Sequence, residues 1–208
     1  MSLPSYLYEI SATSCVLPEK PFKGLIFDCD GTLVDSMPLH LKAWREALTL
    51  NGFPAEQFTL EMHHRFAGMP GVAIVTHLNE NFGASLDAAK VEADKVEWYL
   101  SHHDEVTEVK PVTDFARKHF GEIPMSVASG SDRKVVELSL SSLGLTKLFD
   151  HIVTPEMVER GKPAPDMFLL AAKLMGIAPE DCLVFEDGHL GMQAAEAAGI
   201  PAVWVVQE

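Results

Sequence analysis

Five short apolar runs punctuate this chain, and three of them lead into polar residues that can do chemistry. Phe22 to Phe27 runs into Asp28, Pro124 to Ala128 into Ser129, and Cys182 to Phe185 into Glu186 and Asp187. Phe149 to Val153 and Ala202 to Val206 complete the set. Short apolar runs of this kind read as strands buried on both faces. Between most of them lie helical patterns, Asp132 to Leu143, Asp166 to Met175 and Gly188 to Ala198, each followed by a glycine that suits a helix stop (Gly144, Gly176, Gly199). Strands alternating with helices of this length predict an α/β protein, a doubly wound parallel sheet covered on both faces.

One stretch breaks the alternation. From Asp35 to Asp104 the best periodic segments are Pro38 to Leu50 and Ser85 to Leu100, with no clear strand between them. Pro38 suits the first turn of a helix, and Ser85 is a plausible N-cap. The expected organisation is a catalytic core from residues 22–34 and 105–208, an inserted all-helical domain from 35–104, and an N-terminal extension over 1–21.

Charge and cysteines narrow the partners. The net charge of -14 repels nucleic acid and anionic membrane, so neither is expected to bind. Cys15, Cys29 and Cys182 are odd in number and show no paired spacing, which points to a reducing compartment rather than a disulfide framework. The first twenty residues lack a basic start followed by a long apolar stretch, and no run approaches the ~18 apolar residues of a membrane span. A cytoplasmic protein is expected, and a monomer.

Ligands of open parallel sheets bind beyond the carboxyl ends of the strands. That edge would gather Asp28, Asp30, Ser129, Glu186 and Asp187. Lys162, in a loop just ahead of a helix, would be the positive side chain among them. Two aspartates leaving a strand two residues apart can share one cation, and magnesium takes oxygen ligands. A calcium-binding EF-hand loop is excluded: its fifth and twelfth positions, counted from Asp28, would be Thr32 and Leu39.

Taken in order, four strings resemble the haloacid dehalogenase superfamily. They are Asp28-Cys29-Asp30-Gly31-Thr32-Leu33-Val34-Asp35-Ser36, then Ser129 in Val127-Ala128-Ser129-Gly130-Ser131. Lys162 follows in Gly161-Lys162-Pro163-Ala164-Pro165-Asp166, and last comes Phe185-Glu186-Asp187-Gly188. The resemblance spans roughly residues 22 to 206. The helical insert looks like the cap of the β-phosphoglucomutase-like branch, and within it the chain is most similar to short sugar-phosphate phosphatases of the fructose-1-phosphate and 6-phosphogluconate phosphatase type.

The resemblance implies roles. Asp28 is the nucleophile that becomes an aspartyl phosphate, and Asp30 the general acid and then base. Ser129 and the backbone N–H of Gly130 hold phosphoryl oxygens. Lys162 neutralises charge on Asp28 and the phosphoryl group. Magnesium is held by Asp28, by the backbone carbonyl of Asp30 and by Asp187, with Glu186 a direct or an outer ligand. Within the cap, His40 matches a histidine position of the branch and Arg65 is a candidate substrate contact; each could equally be a packing or a solvated residue. The pairs His63-His64 and His102-His103 are not expected to share a metal, because adjacent residues on a helix point ~100° apart.

The second acidic residue of Asp28-Cys29-Asp30 suits phosphoryl transfer rather than attack on carbon. The expected activity is magnesium-dependent hydrolysis of a small phosphate ester, a sugar or polyol phosphate. The rivals are a hexose-phosphate mutase and a non-catalytic phosphate-binding module. In the mutase relatives a cap loop supplies a lysine and an arginine for a distal phosphate. Aligned on Gly68, those positions fall here on Ala67 and Gly71, neither of which binds an anion through its side chain.

Overall fold

A computed structural model describes residues 8–67 and 69–206. In chain order its elements begin with β1 (Glu9–Ile10), β2 (Cys15–Val16), β3 (Gly24–Phe27) and β4 (Val34–Asp35). The helices α1 (Met37–Leu50), α2 (Leu60–Arg65), α3 (Gly71–Phe82) and α4 (Ala88–Ser101) follow. After β5 (Thr107–Glu108) come α5 (Lys110–His119), β6 (Met125–Ala128), α6 (Arg133–Ser142) and β7 (His151–Val153). The chain then passes through α7 (Asp166–Met175), β8 (Cys182–Glu186), α8 (His189–Ala198) and β9 (Ala202–Val205).

Seven strands form one sheet in the order β2-β1-β9-β8-β3-β6-β7, parallel throughout except for the β1–β2 pair. The central strands are buried on both faces, and their residues alternate between two apolar clusters as a strand period of two requires. Leu25 and Phe27 of β3, Met125 and Val127 of β6, and Leu183 and Phe185 of β8 pack with Val112 and Ala116 of α5 and with Val135, Val136 and Leu140 of α6. Ile26, Ala128, Cys182 and Val184 point the other way, onto Met167, Phe168 and Ala171 of α7 and Ala194 and Ala195 of α8. The expected doubly wound sheet is therefore present.

Helices α1 to α4 build a third cluster around Trp44, Leu48, Phe58, Phe66, Ile74, Val75, Leu78 and Val91. It is not sealed off from the core. Leu39, Ala43 and Tyr99 belong to the main cluster, and Tyr99 Oη lies 3.1 Å from Ser139 Oγ on α6. Chain entry into the helices and exit from them run side by side as an antiparallel ribbon, with Val34 opposite Glu108 and Asp35 opposite Thr107.

Two expectations need correction. Helix α4 starts at Ala88, and its N-cap is Asp87, whose side chain accepts from Lys90 N–H, rather than Ser85. Helices α2 and α3 fill the stretch between the two anticipated helices, in keeping with an all-helical insert, and α5 precedes β6. The segment read as an extension also joins the sheet: Glu9 and Ile10 pair with Trp204 and Val205 of β9. Residues 1–7 of that segment, and Gly68 of the cap loop, lie outside the described residues.

Candidate active site

The carboxyl ends of β3, β6 and β8 meet as the sequence requires. Asp28 follows β3 directly, and its N–H donates to Phe185 O at 2.9 Å, so the neighbouring strand fixes the backbone that carries it. The chain then turns sharply. Cys29 O accepts from the N–H groups of Thr32, Leu33 and Val34. Gly31 adopts φ +85°, and a β-carbon there would also collide with the Asp187 carboxylate, so only glycine fits both the backbone and the space. Thr32 Oγ1 donates to Asp187 Oδ1 at 3.1 Å and ties this turn to the end of β8.

Lys162 is the buried cation of the site. Its Nζ donates to Asp28 Oδ1 at 2.5 Å and to Glu186 Oε2 at 2.7 Å, and lies 5.0 Å from the centre of the Phe168 ring. The ammonium has no exposed surface and stands behind the cavity rather than in its wall. Burial works against its charge, but Asp28 and Glu186 together hold its pKa above the usual lysine value. Glu186 uses its other oxygen to accept from Gly188 N–H at 2.8 Å.

Negative charge remains in excess. Carboxylate oxygens of Asp28, Glu186 and Asp187 lie within 4.8 Å of one another. Burial, followed by the charge of Glu186, pushes Asp28 well above the ordinary aspartate range, and the same two causes push Asp187 up to about 8. One ammonium cannot neutralise three clustered carboxylates, so the donor set, all hard oxygen, fits a divalent cation such as magnesium.

Asp30 has a different environment. Its Oδ1 accepts from Ser36 Oγ at 2.7 Å and lies 2.8 Å from His40 Nε2, while Oδ2 accepts from Ser131 Oγ at 2.6 Å. Burial alone would raise its pKa, but His40, Ser131 and Ser36 hold it well below the usual carboxylate range. Ser129, whose N–H donates to Val153 O, sits at the end of β6 with its Oγ accepting from Ser131 N–H at 3.1 Å.

One cavity unites these groups. Asp28, Asp30, Ser129, Gly130, Glu186 and Asp187 line its floor, and His40 reaches it from α1. Arg65 does not line it; its side chain is exposed. The cap wall is made instead by residues that sequence reasoning did not single out, among them Trp44, Ile74, Glu92 and Lys95, and by His63, which it weighed only as a metal ligand. Lys95 had a readable signal. It lies on the buried stripe of α4 between Val91 and Tyr99, where a lysine is out of place unless it faces a polar cavity.

Comparison with known proteins identifies the family. The family profile of haloacid dehalogenase-like hydrolases matches residues 22–199. Fructose-1-phosphate phosphatase YqaB of Escherichia coli (strain K12) is 40% identical over 182 residues, covering 88% of this chain and 95% of that protein. Hexitol phosphatase A of the same organism is 32% identical over 191 residues, 88% of this chain and 82% of its own. Among solved structures, a hydrolase from Pseudomonas syringae superposes with a TM-score of 0.79 at 28% identity, covering 88% of this chain and 84% of that one. The chain belongs to the haloacid dehalogenase-like hydrolase family.

Proposed function

We propose that this hydrolase is a magnesium-dependent phosphatase of small sugar or polyol phosphates, working through an aspartyl phosphate on Asp28. One observation carries the reading: a nucleophile-grade carboxylate, Asp28, is locked by buried Lys162 on the floor of a cavity in which a second carboxylate, Asp30, stands two residues away. The names of the Escherichia coli relatives, a fructose-1-phosphate and a hexitol phosphatase, support the substrate class.

In the first step an Asp28 oxygen bonds to phosphorus as the ester oxygen leaves, and Asp30 delivers a proton to that oxygen. Asp30 is anionic before substrate arrives, and the negative phosphoryl group entering beside it favours uptake of the proton it must give. In the second step Asp30 takes a proton from water, the water oxygen bonds to phosphorus, and the bond to Asp28 breaks, releasing phosphate. Ser129 and Gly130 orient the phosphoryl oxygens, and Lys162 balances the charge on Asp28 throughout. Asp28 and Asp187 would hold magnesium, which when bound screens the charge of the phosphoryl oxygens. Glu186, engaged by Lys162 and Gly188 N–H, stands behind them. Residues 35–104 act as the cap that faces the leaving alcohol.

The mutase alternative lacks the lysine and arginine of the cap-loop clamp: Ala67 and Gly71 line the cavity but bring no cationic side chain. The deciding assay supplies β-glucose 1-phosphate, a trace of glucose 1,6-bisphosphate and magnesium, alongside fructose 1-phosphate and a hexitol phosphate. Release of inorganic phosphate is expected from the panel. Accumulation of glucose 6-phosphate with little free phosphate would establish the isomerase instead, and no turnover of any ester would leave a binding module.

A further inference from the structure

The cap end of the cavity contains an anion seat that the chain fills with its own carboxylate. Helix α3 begins at Gly71, and the backbone of Gly71 and Val72 in its first turn faces the side chain of Glu92 on α4 and favours its charged form. Glu92 presses so closely on Gly71 that a β-carbon there would collide with its Oε1 and Cδ. Unpaired N–H groups at a helix N-terminus attract phosphate and carboxylate. Here both Gly71 and Glu92 line the cavity, so the seat faces the substrate and is already taken.

The surrounding charges sharpen this. Lys95, one turn on from Glu92, is buried with its Nζ 5.7 Å from the ring centres of both Trp44 and Tyr99. Among the described residues it makes no hydrogen bond or ion pair, so its donors are free for a ligand. His63 opposite is buried and uncharged, and Asp132 adds a second carboxylate to the same wall. A cation, two anions and a neutral ring give a wall with no net attraction for an anion but with donors and acceptors side by side, the pattern that suits hydroxyl groups.

We infer that Glu92 is a specificity-determining residue that bars a second anionic group from the cap end of the cavity, while Lys95 beside it hydrogen-bonds the hydroxyls of a neutral polyol chain. This deepens the phosphatase reading and rests on it for the substrate's first phosphate. It selects sugar and polyol monophosphates against bisphosphates by like-charge repulsion and by occupation of the seat.

The test compares fructose 1-phosphate with fructose 1,6-bisphosphate on the full chain with magnesium. It is read as the ratio of kcat/KM, and again as the ratio of Kd by calorimetry in an Asp28→Asn background, where no turnover is needed. Glu92→Gln should move both ratios toward the bisphosphate by about tenfold or more, equivalent to ~1.4 kcal/mol. Lys95→Met, which leaves Glu92 in place, should weaken both kcat/KM and Kd for fructose 1-phosphate by about tenfold, and gives an independent reading if Glu92→Gln fails to fold. A ratio within about twofold of the parent, ~0.4 kcal/mol, in folded Glu92→Gln, or a fructose 1-phosphate Kd within about twofold of the parent in folded Lys95→Met, overturns the inference. Absent turnover of every ester with the Kd shifts intact would remove the phosphatase reading and keep the filter; intact turnover with unmoved ratios would do the reverse.

Discussion

His40 Nε2 stands 2.8 Å from Asp30 Oδ1, and the same imidazole stacks on Tyr99 with ring centres 4.3 Å apart. A cap helix thereby holds the orientation of the proposed acid. Asp30→Asn should lose far more rate on fructose 1-phosphate than on an aryl phosphate, whose leaving group needs little protonation. His40→Phe keeps a ring against Tyr99 but removes the bond. It should reproduce that leaving-group dependence at smaller size, about tenfold on the sugar phosphate. Equal losses on both esters, for either variant, would deny Asp30 the acid role.

Lys162 is the positive partner of two buried carboxylates, so its removal should be felt in both stability and rate. Lys162→Met is expected to lower stability by about 3–5 kcal/mol, the usual cost of leaving buried charge unpaired. Turnover should fall more than about a hundredfold, ~2.7 kcal/mol of transition-state stabilisation. Magnesium should raise the melting temperature of this variant more than that of the parent. Urea melts and single-ester kinetics, with and without the ion, check all three.

His63 gives the fold an acid weakness. Burial, then the charges of His40, His64 and Lys95, lower its pKa from 6.5 to about 3. Between those values the unfolded chain binds a proton that the folded chain refuses, so stability falls as pH drops below about 6.5. The loss from this one group is roughly 2 kcal/mol near pH 5. His63→Asn, which does not titrate, should show a visibly smaller difference in urea midpoint between about pH 7 and pH 5. An unchanged difference would mean that the ring accepts its proton in the folded state.

Metal binding should release a proton. Without a cation, burial and Glu186 keep Asp187 protonated up to about pH 8. Magnesium must displace that proton, so its affinity should weaken as pH falls below about 8. Calorimetry in buffers of different ionisation enthalpy measures the released protons directly. Chelator should abolish turnover, and calcium should bind yet support little of it, because its looser coordination misplaces the reacting oxygens. Full activity in excess chelator would remove the ion from the mechanism.

The floor of the site was legible because strand ends fix it. Asp28, Ser129, Glu186 and Asp187 each close an apolar run, and Lys162 lies in a loop that the sheet carries to the same edge. The cap wall was not, because it depends on helix phase. On α2, Arg65 and His63 are two residues apart, about 200° around the helix, and the structure turns His63 inward. Asp87 and Ser85 compete as N-caps two residues apart, and only the path of the preceding chain decides between them. The strands Glu9–Ile10 and Cys15–Val16 are too short for alternation to show, and they form because β9 offers an open edge.

The ribbon of Val34–Asp35 with Thr107–Glu108 has a consequence for how the chain can vary. Everything between these strands leaves and returns through neighbouring positions, so the segment is closed on itself as far as the sheet is concerned. Apart from Ser36 and His40, which hold Asp30, residues 36–106 can be lengthened, shortened or rewritten while the paired ends keep the register of Asp28 and Asp30 constant. A change in which ester fits then needs change in the insert, and the groups on the sheet edge stay where they are.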